Sequence, residues 1–175
     1  MPTPDRTSLA AIVTAGRELL ERGGPAKVSM QAVADRVGVR APSLYKRVRD
    51  REALLQLIAE DIVDDLGTVL AASDGTLTGL AHAYRTFAHT HPEGFRYLYA
   101  SSPDLAHLQR TSEPVLQAAR ATVGEERALD AARLVTAWAT GFLSMELAGA
   151  FRLGGDVDGA FEYGLAQLEV ALRQS

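Results

Sequence analysis

Between residues 33 and 44 the sequence reads VADRVGVRAPSL, and this stretch limits the chain's local geometry more than any other. Val33, Ala34 and Val37 fall on one helix face, Gly38 follows at once, and Val39 and Leu44 resume the apolar pattern. Two helices joined at a steep angle by a turn of three or four residues need one residue with positive φ, which glycine adopts without a Cβ penalty. Ala34, one turn before the glycine, is small enough to let the helices approach. Val33, Val37, Val39 and Leu44 then supply a small core that locks the angle. This is the spacing of a helix-turn-helix, and an αα-corner in an ordinary helical protein shares it.

The same 3.6-residue period runs through the rest of the chain, so the expected fold class is all-α. Leu9, Ile12, Val13, Gly16, Leu19 and Leu20 form a first helix that Gly23-Gly24-Pro25 stops. Ser29 is placed to cap the second helix, and Gly38 to end it. A short third helix is expected over 41–48. Asp50 then caps a long fourth helix with a stripe of Leu54, Leu55, Ile58, Ile62, Leu66 and Val69. Further helices are predicted over 76–90, 93–101, 104–123, 126–152 and 156–173, separated by Pro and Gly breaks. No segment alternates as a strand, and no repeat appears. The expected organisation is a helix-turn-helix domain over 1–51 and a helical body over 52–175.

Charge divides the chain at the same place. The 175 residues carry a formal net charge of −4, yet residues 1–51 hold +5 and residues 52–175 hold −9. A basic head on an acidic body points to a polyanion partner for the head alone. The absence of cysteine excludes disulfides and thiolate metal sites. The start, MPTPDRTSLAAIV, lacks the basic and apolar regions of a signal peptide. The longest run without a charged residue, 134–145, is twelve residues, short of the roughly 20 that span a bilayer. These features predict a cytoplasmic protein with no membrane partner.

Five of the nineteen residues from 37 to 55 are Lys or Arg. A helix entering a major groove needs short or polar groups near base edges at its start, with cations and hydroxyls aimed at the flanking phosphates. Arg40, Ala41, Pro42 and Ser43 form the leading turn, and Tyr45, Lys46, Arg47, Arg49 and Arg51 surround the rest. A solvated charged face is the alternative for any such run. Arg40 is the strongest choice for a direct base contact, because its fork matches the O6 and N7 of guanine.

Residues 8–55 resemble the DNA-binding domain of the TetR family of bacterial transcriptional regulators. The resemblance is carried by Ala15-Gly16, Val28-Ser29-Met30, Val33-Ala34, Gly38-Val39, Leu44-Tyr45 and Arg51-Glu52-Ala53-Leu54-Leu55. It implies that Ser29 caps the second helix and touches a phosphate, that Arg40 to Ser43 face bases, and that Tyr45 and Arg51 hold phosphates. Arg40 stands where many members have Ser or Thr, and Arg47-Val48 replaces a frequent His-Phe pair.

The body contains two apolar stretches, AYRTFAHTHPEGFRYLYA over 83–100 and LVTAWATGFLSMELAGAF over 134–151. The second is too apolar for a solvated helix and must pack on several sides, with a partner chain as the simplest cover. This half is similar to the WHG-type ligand-binding domain found in part of the family, through Trp138, Gly141, Leu147, Gly149 and Phe151 and the Phe87/Pro92 junction. Thr140 stands where the family's usual histidine would be.

The resemblance implies a homodimer through the last two helices. Gly141, Ala148 and Gly149 would allow close approach, with Val157, Phe161, Gly164, Leu165 and Leu168 facing the partner. It also implies a pocket for a small apolar or amphipathic effector, walled by Tyr84, Phe87, Phe95, Leu98, Tyr99, Trp138, Phe142 and Met145, although any of these aromatics could equally be plain core. Glu146 is expected to pair with an arginine across the dimer or to hold a ligand cation.

His82, His89, His91 and His107 complete no metal-binding motif, and no nucleotide or nucleophile signature appears. No cofactor and no catalytic residue are therefore expected. The reading is a ligand-responsive, dimeric regulator, a repressor, on a palindromic double-stranded DNA operator. A helical small-molecule binding protein without DNA activity is the alternative.

Overall fold

The computed structural model describes residues 8–101 and 103–174; residues 1–7, part of the stretch that argued against a signal peptide, lie outside them. Among the described residues the ordered elements are helices, with no strand, as the sequence predicts. They are α1 (Leu9–Glu21), a 3₁₀ turn (Pro25–Lys27), α2 (Met30–Val37), α3 (Ala41–Leu44), α4 (Arg51–Ala71), α5 (Leu77–Thr90), α6 (Pro92–Ala100), α7 (Leu105–Val123), α8 (Ala128–Leu147) and α9 (Val157–Arg173).

Several ends follow from side chains visible in the sequence. Ser8 and Ser29 accept from the amides of Ala11 and Ala32, each at 3.1 Å, capping α1 and α2. Asp50 caps α4 by accepting from Ala53 at 2.8 Å. That bond, followed by the ion pair with Arg49, holds the Asp50 carboxyl below its ordinary range. α5 starts at Leu77 because Thr76 is its cap, accepting from the Gly79 amide at 2.9 Å. Two ends fall short of expectation. α3 stops at Leu44, and residues 45–48 continue as a turn in which Arg47 and Val48 both donate to the Leu44 carbonyl, at 2.8 and 2.9 Å. α8 stops at Leu147 because Gly149 takes φ +63°. The Ala150 amide then reaches the Met145 carbonyl and the Gly149 amide the Glu146 carbonyl, each at 2.9 Å, which is a Schellman closure.

The chain divides into two compact units, and the division differs from a boundary after residue 51. The first runs to Asp65 and takes in His91–Leu108; the second holds Leu66–Thr90 and the rest from Gln109. α4 contributes to both. The first unit's core gathers Ile12 and Leu20 of α1, Val28, Val33 and Ala34 around α2, Leu44, Leu54, Ile58 and Ile62 of α4, and Phe95 of α6, all at most 1% exposed. Gly16 lies against α4 so closely that a Cβ there would stand 2.5 Å from Ile58 Cδ1. The second unit is built from α5, α8 and α9 with the C-terminal end of α4 and most of α7. Its core joins Leu80, Tyr84 and Phe87 to Ala139 and Leu143 and to Phe161 and Leu165.

Candidate nucleic-acid interface

The turn at Gly38 has the geometry its spacing predicts. Gly38 adopts φ 78° and ψ 36°, the Val39 amide reaches back to the Ala34 carbonyl at 2.9 Å, and the Gly38 amide to Asp35 at 3.3 Å. A side chain at residue 38 would be strained in this left-handed conformation. Val33, Ala34 and Leu44 are fully buried behind the turn, which fixes how α3 crosses α2.

Outward from that core, Arg40, Pro42, Lys46 and Arg47 are exposed, Tyr45 is 54% exposed, and Ala41 and Ser43 are half-buried. Arg40 occupies the N-cap of α3 but its side chain does not cap the helix. Ser29 is exposed while its Oγ serves α2. Seven of the nine residues proposed for DNA contact thus lie on one short segment, 40–47, five of them exposed and two half-buried. Arg51 is placed differently. Its Nε donates to the Val28 carbonyl at 2.7 Å and its Nη2 to the Pro25 carbonyl at 2.6 Å. These bonds clamp the start of α4 to the connection before α2, so the guanidinium is engaged with backbone oxygens rather than turned to a phosphate.

The eight residues expected to wall a pocket are divided between the two units. Phe95, Leu98 and Tyr99 belong to α6 in the first unit, where Phe95 is buried and meets the exposed Tyr99 edge-on at 5.7 Å. In the second unit Trp138 stacks on Phe161 at 5.2 Å and meets Phe142 at 5.8 Å, and Phe142 continues to Phe151 at 4.9 Å. Tyr84 is buried with its hydroxyl 3.1 Å from Thr140 Oγ1, Phe87 is 2% exposed, and Met145 is 48% exposed. Thr140 is thus the hydrogen-bond partner of a buried tyrosine. Trp138 rests on α9 at Gly164, where a Cβ would stand 2.5 Å from Cζ2 of the indole. Gly164→Ala should therefore cost about 1–3 kcal/mol through overpacking, measured as a shift of the urea midpoint.

The interface residues also separate. Phe161 and Leu165 are 0% and 2% exposed within one chain, and Gly164 receives Trp138, so these three face their own core rather than a partner. Gly141, Ala148 and Gly149 are exposed, and open space surrounds a Cβ built at Gly141 or Gly149. Val157 and Leu168 are half-buried. The outward apolar residues include three that the sequence reading missed: Leu134 on α8 (48% exposed), and Tyr163 and Val170 on α9 (68% and 52%). The signal was present, since Leu134, Gly141 and Ala148 repeat at seven and Tyr163 and Val170 at seven. Both helices, however, carry two apolar stripes, and only packing shows which one is turned inward.

Glu146 resolves within the chain. Its carboxylate receives both Nε (3.2 Å) and Nη2 of Arg85, with His89 Nε2 at 3.2 Å, and Arg85 Nη2 also meets Asp158 at 2.5 Å. The guanidinium lies over the Phe161 ring, 4.8 Å from its centroid. Burial pushes the Glu146 carboxyl up, but the hydrogen bonds from Arg85 and His89 outweigh it and hold the group below its ordinary range. The bond to Glu146 raises Arg85 against a smaller effect of burial. Among the described residues no group of three or more His, Asp or Glu is placed to hold a metal ion, and no helix is long and apolar enough to cross a membrane.

Two family models match this chain. One, described as "Bacterial regulatory proteins, tetR family", spans residues 12–58; the other, described as "Tetracyclin repressor-like, C-terminal domain", spans residues 77–168 and so just over half of the chain. An uncharacterized HTH-type transcriptional regulator of Mycobacterium tuberculosis is 33% identical over 95 residues, covering 51% of this chain and 44% of the relative. The chain thus spans about half the length of the curated relatives it matches. A possible TetR family transcriptional regulator from Streptomyces coelicolor A3(2) aligns over 95% of this chain and 99% of its own, with 23% identity and a TM-score of 0.74. A TetR variant from Acinetobacter baumannii AYE, crystallised in complex with minocycline, aligns over 94% and 96%, with 24% identity and a TM-score of 0.70. At such identities the two structures speak for the fold. Together with the matched domains, they lead to one conclusion: the chain belongs to the TetR family of bacterial regulatory proteins.

Proposed function

We propose that this chain is a ligand-responsive, DNA-binding transcriptional repressor that acts as a homodimer on a palindromic operator. The observation that carries the reading is the exposed segment Arg40–Arg47, displayed from a glycine-locked turn on a head of +5 charge in a chain of −4. Two such segments, one per subunit, would enter successive major grooves about 34–36 Å apart. Dimerisation would use the outward faces of α8 and α9, with Leu134, Gly141 and Ala148 opposite Tyr163 and Val170. Those side chains are apolar and exposed in the single chain, the composition that an isologous interface covers. The chain acts by binding rather than by catalysis, and its place is where the genome is, in the cytoplasm.

The effector would be a small apolar or amphipathic molecule. It would bind better to a conformation whose two recognition segments no longer match the operator, with a coupling of about 1–3 kcal/mol. Selection of duplexes from random-sequence DNA by the purified chain tests the reading directly. Recovery of a palindrome with half-sites one helical turn apart is expected; failure to retain any duplex at low ionic strength refutes it.

Within the selected operator two side chains should behave differently. Arg40→Ala should relax base preference at one position of each half-site, at a cost of about 1–3 kcal/mol. Lys46→Ala should weaken all sequences alike and lower the salt slope by about 1 per subunit. A binding-site library read at several salt concentrations separates them, and unchanged preference in the Arg40 variant would remove it from base readout.

A further inference from the structure

Helix α6 opens on His91, Pro92 and Glu93, and its N-cap residue His91 does not cap it with a side-chain hydrogen bond. The missing acceptor comes from the other end of the first unit. Glu21, the last residue of α1, accepts from the Glu93 amide at 3.2 Å through Oε2 and from the Gly94 amide at 2.9 Å through Oε1. These amides, at the second and third helical positions, are the ones an N-cap side chain ordinarily satisfies. A carboxylate is also the favoured charge at that end of a helix. Gly94 leaves room for it: a Cβ at this position would stand 2.6 Å from Glu21 Oε1. His91 Nδ1 lies 3.9 Å from the same carboxylate.

One turn earlier on α1, Arg17 pairs with Asp61 at 3.0 Å and Asp65 at 2.5 Å on α4. Two side chains four residues apart therefore add polar links from α1 to α4 and α6, and α1 also packs on α2 and on the 3₁₀ turn. With Phe95 buried in the core and Glu21 at its start, α6 falls within the same compact unit as the helix-turn-helix, although 66–90 and the chain after Leu108 belong to the other unit.

Resting on the function proposed above, we propose that Glu21 is a positioning residue for DNA recognition: as the N-cap of α6 it makes that helix part of the DNA-binding head and fixes the seating of α1 beneath α2 and the recognition segment. The magnitudes agree. Loss of a cap shifts a local equilibrium by about two- to thirtyfold, a range that overlaps typical coupling between distant sites, about 5–150-fold. A contact of this strength can be broken by a ligand yet persist without one.

The test uses the full chain, amide exchange by NMR, and fluorescence anisotropy with the duplex selected by the unaltered protein. Glu21→Ala and, independently, Gly94→Ala should speed exchange at residues 93 and 94 by about fivefold or more and weaken duplex binding by about fivefold. Glu21→Gln, which keeps an acceptor oxygen, should retain most of both properties. Adding duplex should slow exchange at residues 93 and 94 in the unaltered chain, and should not in Glu21→Ala. Unchanged exchange in both alanine variants overturns the cap. Accelerated exchange with duplex affinity intact confines Glu21 to local stability and overturns the positioning role. If the unaltered chain retains no duplex, the regulator reading fails and the positioning role with it, while the exchange data still decide whether Glu21 caps α6.

Discussion

Arg85→Met is expected to destabilise the chain by about 2–3 kcal/mol in urea unfolding, because it leaves the half-buried Glu146 of the second unit without its main partner. The side chains of Arg85 and Glu146 are only 15% and 11% exposed, whereas Asp158, the other partner of Arg85, is 82% exposed. The inner pair therefore carries the effect and the outer one contributes little. The pair is half-buried and follows the pattern of a buried ion pair in reduced measure: the loss of one member costs more than the loss of both. The double variant Arg85→Met, Glu146→Leu should accordingly recover most of the lost stability. If the double variant is as unstable as the single, the guanidinium acts through its stacking on Phe161 and not through the carboxylate.

The same pair makes a pH prediction whose sign follows from Glu146. Its folded value is held below the ordinary one, so the stabilisation is complete above the unfolded value, about 4.3, and is lost as the pH falls through the folded value. The stability of the original chain relative to that of the double variant should fall steadily below about pH 4. A difference that stays constant down to pH 3 would show that the pair is not what titrates.

Phe161→Ala should be comparably large, about 3–5 kcal/mol. Phe161 is 0% exposed and is enclosed by Trp138 at 5.2 Å, Phe142 at 5.3 Å and His82 at 5.9 Å between ring centroids, with Arg85 over its face. Truncation removes the centre of that cluster and leaves a cavity that rigid rings fill poorly. Trp138 is the chain's single tryptophan, so its emission reports the change directly and should shift to the red. The result also separates two placements of this residue. A phenylalanine facing a partner subunit would show its loss as weaker self-association with little change in monomer stability; one in the chain's own core shows the reverse. Tyr163→Ala, on the outward face of the same helix, supplies the contrasting case, since it should weaken association and leave unfolding of the monomer nearly unchanged.

Much of the fold can be read along the chain because its determinants are local. The helix-turn-helix needs Ala34, Gly38 and Leu44 at fixed offsets, and the capping bonds of Ser29 and Asp50 reach only three residues ahead. The existence of each long helix follows from its apolar period, and the exposed run Arg40–Arg47 follows from the phase of that period around Leu44. Where the reading departs from the structure, two stripes compete or a partner lies far along the chain. α9 carries Phe161, Leu165 and Leu172 on one side and Tyr163 and Val170 on the other, and both series have helical spacing. Arg51 looks like its neighbouring cations until the carbonyls of Pro25 and Val28, more than twenty residues earlier, are seen against it.

The sequence by itself determined that this chain is helical, that its head carries a glycine-locked turn with cations beyond it, and that its charge is divided between a basic head and an acidic body. Those properties depend on residues within about one turn of each other, or on composition alone. Only the tertiary structure decided that Glu21 caps a helix 72 residues away, that Arg85 rather than a partner's arginine neutralises Glu146, and which apolar stripe of α9 is core. Such pairings form when separate helices pack. A carboxylate or a leucine has the same local pattern whether its partner is its own chain, another chain or water.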